Sequence, residues 1–154
     1  MFLSAPSFAV VGASDDETKF GTIVFKAMLE NGMDVTPINP FVTASQGIPC
    51  LPSLADIPDP ARTSISVVTP PTATLEILRQ AHALGVFAVW LQPGAEDTAV
   101  LDFIANATAA GSATSFIHAA PPRPGAVRRQ TTGTSGGCLV NDPDFPDVIS
   151  TLRR

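Results

Sequence analysis

Residues 8–21 read Phe8-Ala-Val-Val-Gly-Ala-Ser-Asp-Asp-Glu-Thr-Lys-Phe-Gly21, an apolar strand followed by a small-residue turn and the start of a helix. Gly12 and Ala13 allow the backbone to turn tightly, and the N–H groups at a helix N-terminus attract anions. The stretch therefore predicts a nucleotide phosphate site. It lacks the Gly-x-Gly-x-x-Gly fingerprint of ordinary NAD sites, because the first glycine after Gly12 is Gly21.

The length and composition of the chain limit the function classes. Its 154 residues, of which 45% are hydrophobic and 15% charged, predict one domain over residues 1–154. The net charge of -5 argues against a protein that follows nucleic-acid phosphates with a basic groove. The sequence has no apolar run of about 20 residues and no basic, apolar leader, so we expect a cytoplasmic protein without a membrane segment.

Beyond residue 21 the chain alternates between apolar strand patterns and amphipathic helix patterns. Strands are predicted at residues 8–13, 34–39, 64–69, 86–91 and 114–118, and helices at 22–31, 72–84 and 97–110. This alternation predicts an α/β fold, a Rossmann-like doubly wound sheet that is mostly parallel, with about five to six strands and helices on both faces. Between strands two and three, residues 40–59 are predicted to be mostly loop, with a brief extended piece at 48–51.

The last part of the chain departs from this alternation. Residues 119–137 are rich in Gly, Pro and Thr and are predicted to form a mobile loop. Residues 138–154 are predicted to form a closing strand and tail. Both segments are expected to belong to the same single domain.

Four predicted strand ends carry small or proline-bearing turns, at residues 12–14, 39–40, 69–71 and 92–94. Doubly wound folds bind ligands at the carboxyl ends of their strands. Proline fixes φ, so these turns are stiff and predict a shaped slot. The second strand ends in Ile38-Asn39-Pro40, without the carboxylate that holds the ribose hydroxyls in dinucleotide sites. The sequence therefore favours another nucleotide over NAD(P).

Several short motifs occur together in a characteristic order. They are Val10-Val-Gly-Ala-Ser14, Lys19-Phe-Gly21, Pro37-Ile-Asn-Pro40, Leu51-Pro-Ser-Leu-Ala-Asp-Ile-Pro58, Val68-Thr-Pro-Pro71 and Ala88-Val-Trp-Leu-Gln-Pro-Gly94. With this set, the chain resembles the small stand-alone CoA-binding proteins that are similar to the N-terminal domain of the succinyl-CoA synthetase α subunit. The resemblance covers about residues 7–118 and implies a Rossmann-like domain that binds coenzyme A. The tail Gly136-Gly-Cys-Leu-Val-Asn141 is similar to the closing segment of fungal members.

The resemblance also implies which residues hold the parts of coenzyme A. The phosphates would lie at Gly12, Ala13, Ser14, Lys19, Phe20 and Gly21. The adenosine would lie near Asn39, Pro40, Thr69, Pro70 and Pro71, and the pantetheine arm would pass Gln92, Pro93 and Gly94. Lys19 is one of two lysines in an acidic chain, which suits a phosphate partner. The family often has a lysine soon after the Asn-Pro pair, where this chain has Phe41, so the contact to the ribose phosphate must come from elsewhere or be missing.

Catalytic and metal-binding patterns are weak in the sequence. It has no Ser-His-Asp order and no metal-ligand spacing, and the two cysteines, Cys50 and Cys138, form no Cys-x-x-Cys motif. His118, at a strand end, and Cys138 remain as candidates for a reactive group. We therefore expect the protein to bind CoA or an acyl-CoA, a small-molecule nucleotide ligand, without catalysis by itself.

Two alternatives to a simple CoA-binding domain stay open. One is an NAD(P)-binding protein related to oxidoreductases, and the other is a repurposed family member that acts on a small molecule through His118 or Cys138. A homodimer is compatible with the sequence in each case.

Overall fold

A parallel sheet and three helices make up most of the structure, a computed structural model that describes residues 2–118. The strands are β1 (Ser7–Val11), β2 (Val35–Ile38), β3 (Ala44–Ser45), β4 (Ile48–Pro49), β5 (Thr63–Val67), β6 (Ala88–Leu91) and β7 (Ser115–Ile117), and the helices are α1 (Phe20–Glu30), α2 (Pro71–Leu84) and α3 (Thr98–Ala109). Short 3-10 turns cover Phe2–Ser4, Leu54–Asp56 and Pro60–Arg62. The predicted loop at 119–137 and closing segment at 138–154 lie outside the described residues. None of these three helices is long and apolar enough to cross a membrane.

The main sheet has five parallel strands in the order β2-β1-β5-β6-β7. All the residues of β6 are apolar and buried, as expected for a strand that is covered on both faces. From β1 the chain moves outward to β2 and then returns to β5, on the other side of β1. This reversal is the switch point at which open α/β sheets bind ligands, outside the carboxyl ends of their strands.

Side chains of β1 alternate between the two faces of the sheet. Phe8 and Val10 pack in one apolar cluster with Phe25 of α1, whereas Ala9 and Val11 join a second cluster that contains residues of α2 and α3. Helices therefore cover both faces, which confirms the predicted α/β, Rossmann-like, doubly wound fold. Burial of a side chain such as Phe25 stabilises the fold by about 1.5–3 kcal/mol. The two clusters therefore hold the helices against both faces of the sheet.

Helix α1 begins at Phe20, earlier than the start predicted at Thr22. A local turn precedes it, because the carbonyl of Asp16 accepts the Lys19 N–H at 3.1 Å and its carboxylate accepts the Thr18 N–H at 2.9 Å. Lys19 follows this turn in an extended conformation, with φ -76° and ψ 140°, and occupies the N-cap position. The two extra residues at the start of the helix therefore follow a turn that is held by local hydrogen bonds.

A short antiparallel hairpin lies in the region predicted to be mostly loop, residues 40–59. Its strands, β3 and β4, are joined by Gln46 and Gly47, whose φ angles are 50° and 76°. Two consecutive positive φ angles are typical of a two-residue hairpin turn. Strands this short give no alternating pattern, which explains why the hairpin was not predicted. Leu51 then pairs with the end of β2 at Ile38, within the extended piece predicted at 48–51.

Candidate functional site

Three backbone segments meet at the end of β1 with no space for a side chain. Gly12 begins the loop at residues 12–19, the β1–α1 loop, and has a φ of 102°, which L-residues rarely adopt. A Cβ atom added to Gly12 would lie 2.6 Å from the carbonyl oxygen of Val68, which follows β5. A Cβ atom added to Gly21 would clash with the carbonyl of Gly12 itself. Both glycines are therefore required for the close approach of β1, β5 and α1.

Side-chain donors fix the backbone of the β1–α1 loop. Asn39 donates its amide to the carbonyl of Ala13 at 2.7 Å. The carbonyl of Ser14 accepts hydroxyl groups from Thr22 at 3.0 Å and from Ser45 at 2.6 Å, and Thr22 in turn accepts the Ser14 N–H at 3.1 Å. Three of these bonds engage carbonyl oxygens, which are the backbone groups that repel a phosphate, and the fourth engages the Ser14 N–H. Together they fix the conformation of the loop.

The N-terminus of α1 has no side-chain cap. Lys19 occupies the N-cap position, and an ammonium group cannot accept the N–H groups of the first helical turn. By contrast, the carboxylate of Asp97 caps α3 by accepting the Val100 N–H at 2.9 Å. An anion beside α1 would meet first-turn N–H groups, the positive end of the helix dipole and the charge of Lys19. Of these two helix starts, that of α1 is the better anion site.

Acidic side chains occupy the solvent side of the β1–α1 loop. Asp15, Asp16 and Glu17 are all exposed. The carboxylate of Asp16 accepts the hydroxyl of Thr18 at 2.6 Å and its backbone N–H at 2.9 Å. The hydroxyl bond, followed by the backbone bond, holds the pKa of Asp16 below its ordinary value of 3.8. Asp16 is therefore ionised at neutral pH, so an anion at this loop would have to be held by N–H groups more than by net charge.

Replacing Thr18 by valine should raise the pKa of Asp16 toward 3.8, because the variant loses the hydroxyl donor and keeps the backbone donor. The pKa of Asp16 is lower in the folded state, so Asp16 stabilises the fold above its unfolded pKa. That contribution is lost as the pH falls through the folded pKa. Carboxyl NMR titration measures the shift. The control Thr98→Val, on α3, should leave the Asp16 titration unchanged, and an unchanged titration in Thr18→Val would contradict the assigned cause.

A cleft of about 500 Å³ opens beside the β1–α1 loop, outside the carboxyl ends of β1 and β2. Its volume falls within the range of about 300–1,000 Å³ that is usual for small-molecule sites. Several residues predicted for the ligand line it: Gly12, Asn39, Pro40, Thr69 and Pro70. The structure thus brings the end of β1, the end of β2 and the start of α2 together around one cavity.

The other predicted ligand residues lie around the cleft and not in its walls. The buried ones are Ala13, Ser14, Gly21 and Gln92, Pro71 is partly buried, and the exposed ones are Lys19, Phe20, Pro93 and Gly94. Each of them follows the carboxyl end of a strand or begins the next helix. The predicted residues therefore share one edge of the sheet.

Two amide side chains tie neighbouring strands together at this edge. Asn39, after β2, donates to Ala13, after β1, and its amide oxygen accepts the N–H of Phe41 at 2.8 Å. Gln92, after β6, is 1% exposed and donates to the hydroxyl of Ser66 in β5 at 2.9 Å. Both amides therefore contribute to the shape of the site by fixing the strand ends.

Sequence reasoning missed two groups of residues at the site. Thr22 and Ser45 hold the carbonyl of Ser14, and no local pattern distinguishes these hydroxyl groups from others in the chain. The second group forms a wall of the cleft on α2 and consists of Ala73, Glu76, Ile77 and Gln80. Its spacing of i, i+3, i+4 and i+7 marks one helix face. Because α2 follows a predicted ligand-binding strand end, this spacing could have revealed the wall.

Of the two candidate reactive residues, His118 is described by the structure and does not line the cleft. His118 is partly buried directly after β7, at the same sheet edge, and Cys138 lies outside the described residues. Burial, followed by the charge of Asp15, raises the pKa of the Cys50 thiol, which stays protonated at neutral pH. Within residues 2–118, no group of three or more His, Cys, Asp or Glu side chains is placed to hold a metal ion.

Solved structures of other proteins resemble this chain. A conserved hypothetical protein from Pyrococcus furiosus is 34% identical, with a TM-score of 0.61 over 71% of this chain and 91% of that one. A hypothetical protein from Pyrococcus horikoshii OT3 is 31% identical, with a TM-score of 0.63 over 75% of this chain and 78% of that one. A dinucleotide-forming acetyl-coenzyme A synthetase from Ca. Korarchaeum cryptofilum, 24% identical, shares the fold, with a TM-score of 0.62 over 75% of this chain and 26% of that one. No curated protein matches the chain.

A family model described as a CoA binding domain matches residues 6–114, which include β1 to α3. The geometry of this region fits such a ligand, because the cleft of about 500 Å³ beside Gly12 has room for a nucleoside. All the motifs that suggested the resemblance lie within the matched range. The chain belongs to the CoA-binding domain family.

Proposed function

We propose that the protein binds coenzyme A or an acyl-CoA and acts as a binding domain without catalysis by itself. The close packing around Gly12 and Gly21 at the switch point, here called the cradle, carries this proposal. Gly12 and Gly21 let β1, β5 and α1 approach closely, which brings the uncapped start of α1 next to the β1–α1 loop, and the cleft of about 500 Å³ lies beside Gly12. Membership in the CoA-binding domain family supports coenzyme A as the ligand class.

In this proposal the ligand extends along the carboxyl edge of the sheet. The diphosphate contacts the β1–α1 loop and the start of α1 through Gly12, Ala13, Ser14, Lys19, Phe20 and Gly21. The adenosine occupies the cleft between Asn39-Pro40 and Thr69-Pro70-Pro71. The pantetheine arm passes the turn after β6, at Gln92, Pro93 and Gly94. The proline-bearing turns are rigid in advance, which reduces the entropy cost of ordering them on binding.

Lys19 is the residue whose charge tests this arrangement most directly. In calorimetric titrations of the full chain with CoA and with acetyl-CoA, Lys19→Ala should bind about 3–10-fold more weakly, because it loses a charge-assisted contact at an exposed site. The loss should shrink as salt is added, since salt screens exposed charges. Lys26→Ala, which removes the only other lysine from an exposed position on the same helix, is the matched control and should bind CoA normally.

Two results would count against the proposal in different ways. If CoA binding is undetectable at millimolar concentration while NADPH binds, coenzyme A is the wrong ligand. If CoA binds but Lys19→Ala and Lys26→Ala weaken it equally, the ligand class is right and the phosphates do not lie at Lys19.

A further inference from the structure

An aromatic side chain stands uncovered at the mouth of the cleft. Phe41 lines the cleft and is 93% exposed, far more than any other large hydrophobic residue among those described. Its backbone is fixed, because the Phe41 N–H donates to the amide oxygen of Asn39 at 2.8 Å. Exposure of this apolar area to water is unfavourable, and a flat base that stacked on the ring would cover it. Phe41 is therefore placed to contact an adenine.

The cleft is lined by an acidic side chain and by no basic one among the described residues. Among the described residues that line it, Glu76 is the only charged one. Glu76 pairs with Arg79, whose Nη1 lies 3.8 Å from Oε2 of Glu76. Both side chains are well exposed to solvent. A phosphomonoester carries a charge of about -1.5 to -2 at neutral pH. Such a group bound in this cleft would face a carboxylate and a phenyl ring.

We infer that the cleft takes an adenine nucleotide without a phosphate on its ribose 3′-hydroxyl, so that 3′-dephospho-CoA binds more tightly than CoA. Glu76 contributes to this specificity through its charge, and position 41 contributes because its phenyl ring supplies no cation for a phosphate. The inference rests on the proposed function, because the diphosphate and pantetheine contacts are common to both compounds. The two ligands differ only in the 3′-phosphate, so the ratio of their affinities isolates its effect.

Calorimetric titration of the full chain with CoA and with 3′-dephospho-CoA tests the inference. The wild-type protein should bind the dephosphorylated compound at least about threefold more tightly, a size expected for one partly screened carboxylate. Phe41→Lys should reverse the preference, so that CoA binds more tightly than 3′-dephospho-CoA. Glu76→Gln should reduce the ratio of the two affinities. Phe41→Leu should weaken both compounds and keep their ratio, because stacking is lost while the charge is unchanged. Ile23→Lys adds the same charge on α1, away from the cleft, and should keep the wild-type ratio.

The outcomes separate this inference from the proposed function. Equal or tighter binding of CoA by the wild-type protein overturns the inference and leaves CoA binding intact. Failure of both compounds to bind overturns both. A wild-type preference for 3′-dephospho-CoA that is unchanged in Phe41→Lys and in Glu76→Gln removes these two residues as its cause and overturns the inference as stated.

Discussion

Gly12→Ala is expected to lower the free energy of unfolding by about 2–6 kcal/mol and to remove detectable CoA binding. Two costs add at this position. An alanine would have to adopt a φ of 102°, which costs about 1–3 kcal/mol. Its Cβ would also lie 2.6 Å from the backbone oxygen of Val68, which cannot move without displacing the end of β5, and overpacking of this kind costs about 1–3 kcal/mol.

Chemical denaturation measures the stability of the variant, and calorimetry with CoA measures its binding. Gly111→Ala separates the two costs, because Gly111 also has a positive φ, 79°, but a Cβ there would meet nothing within 4 Å. This control should lose only the stability that the positive φ accounts for, and it should keep CoA binding. Equal losses of stability in the two variants would show that the contact with Val68 contributes nothing.

Gly21→Ala is expected to lower the free energy of unfolding by up to about 2 kcal/mol and to weaken CoA binding at least about tenfold. Gly21 lies within α1, where alanine would ordinarily stabilise a helix by about 1 kcal/mol. The clash with the Gly12 carbonyl opposes that gain and pushes α1 away from the β1–α1 loop. The first-turn N–H groups would then no longer face the proposed diphosphate.

Thr72→Ala is the matched control for Gly21→Ala, because Thr72 is an exposed residue in the first turn of α2. It should change stability by less than about 0.5 kcal/mol. Thermal and chemical unfolding give the stabilities, and titration with CoA gives the affinities. A Gly21→Ala protein as stable as the wild type, with unchanged affinity, would contradict the packing described at the cradle.

Local patterns in the sequence account for most of the fold. The apolar run at β6 indicates a strand buried on both faces, and Gly85 marks the end of α2 with a left-handed φ of 66°. Gly12 and Gly21 were also recognised, because a glycine after a strand and another at a helix start are typical of a phosphate loop. These features depend on neighbours in the chain, so a single sequence is enough to predict them.

Contacts between distant parts of the chain could not be predicted in the same way. Ser45 is 31 residues from Ser14, whose carbonyl it holds, and it belongs to a hairpin too short to leave a pattern. Asn39 reaches Ala13 across 26 residues. Phe41 was noted as a departure from the family, but the sequence does not tell whether it packs in the core or stands in solvent at the mouth of the cleft. Such relations follow from the tertiary arrangement alone.

One amide group links the two halves of the proposed site. The same Asn39 side chain holds the Ala13 carbonyl in the loop and the Phe41 backbone at the mouth of the cleft. The spacing between the contacts for the diphosphate and for the base is thereby set before any ligand arrives. A ligand makes both contacts at once when the distance between its diphosphate and its base matches the distance between the loop and Phe41. A longer or shorter ligand loses one of the two contacts. In the proposed arrangement, Asn39 would thus make the length of the ligand a basis for selection, in addition to its charge.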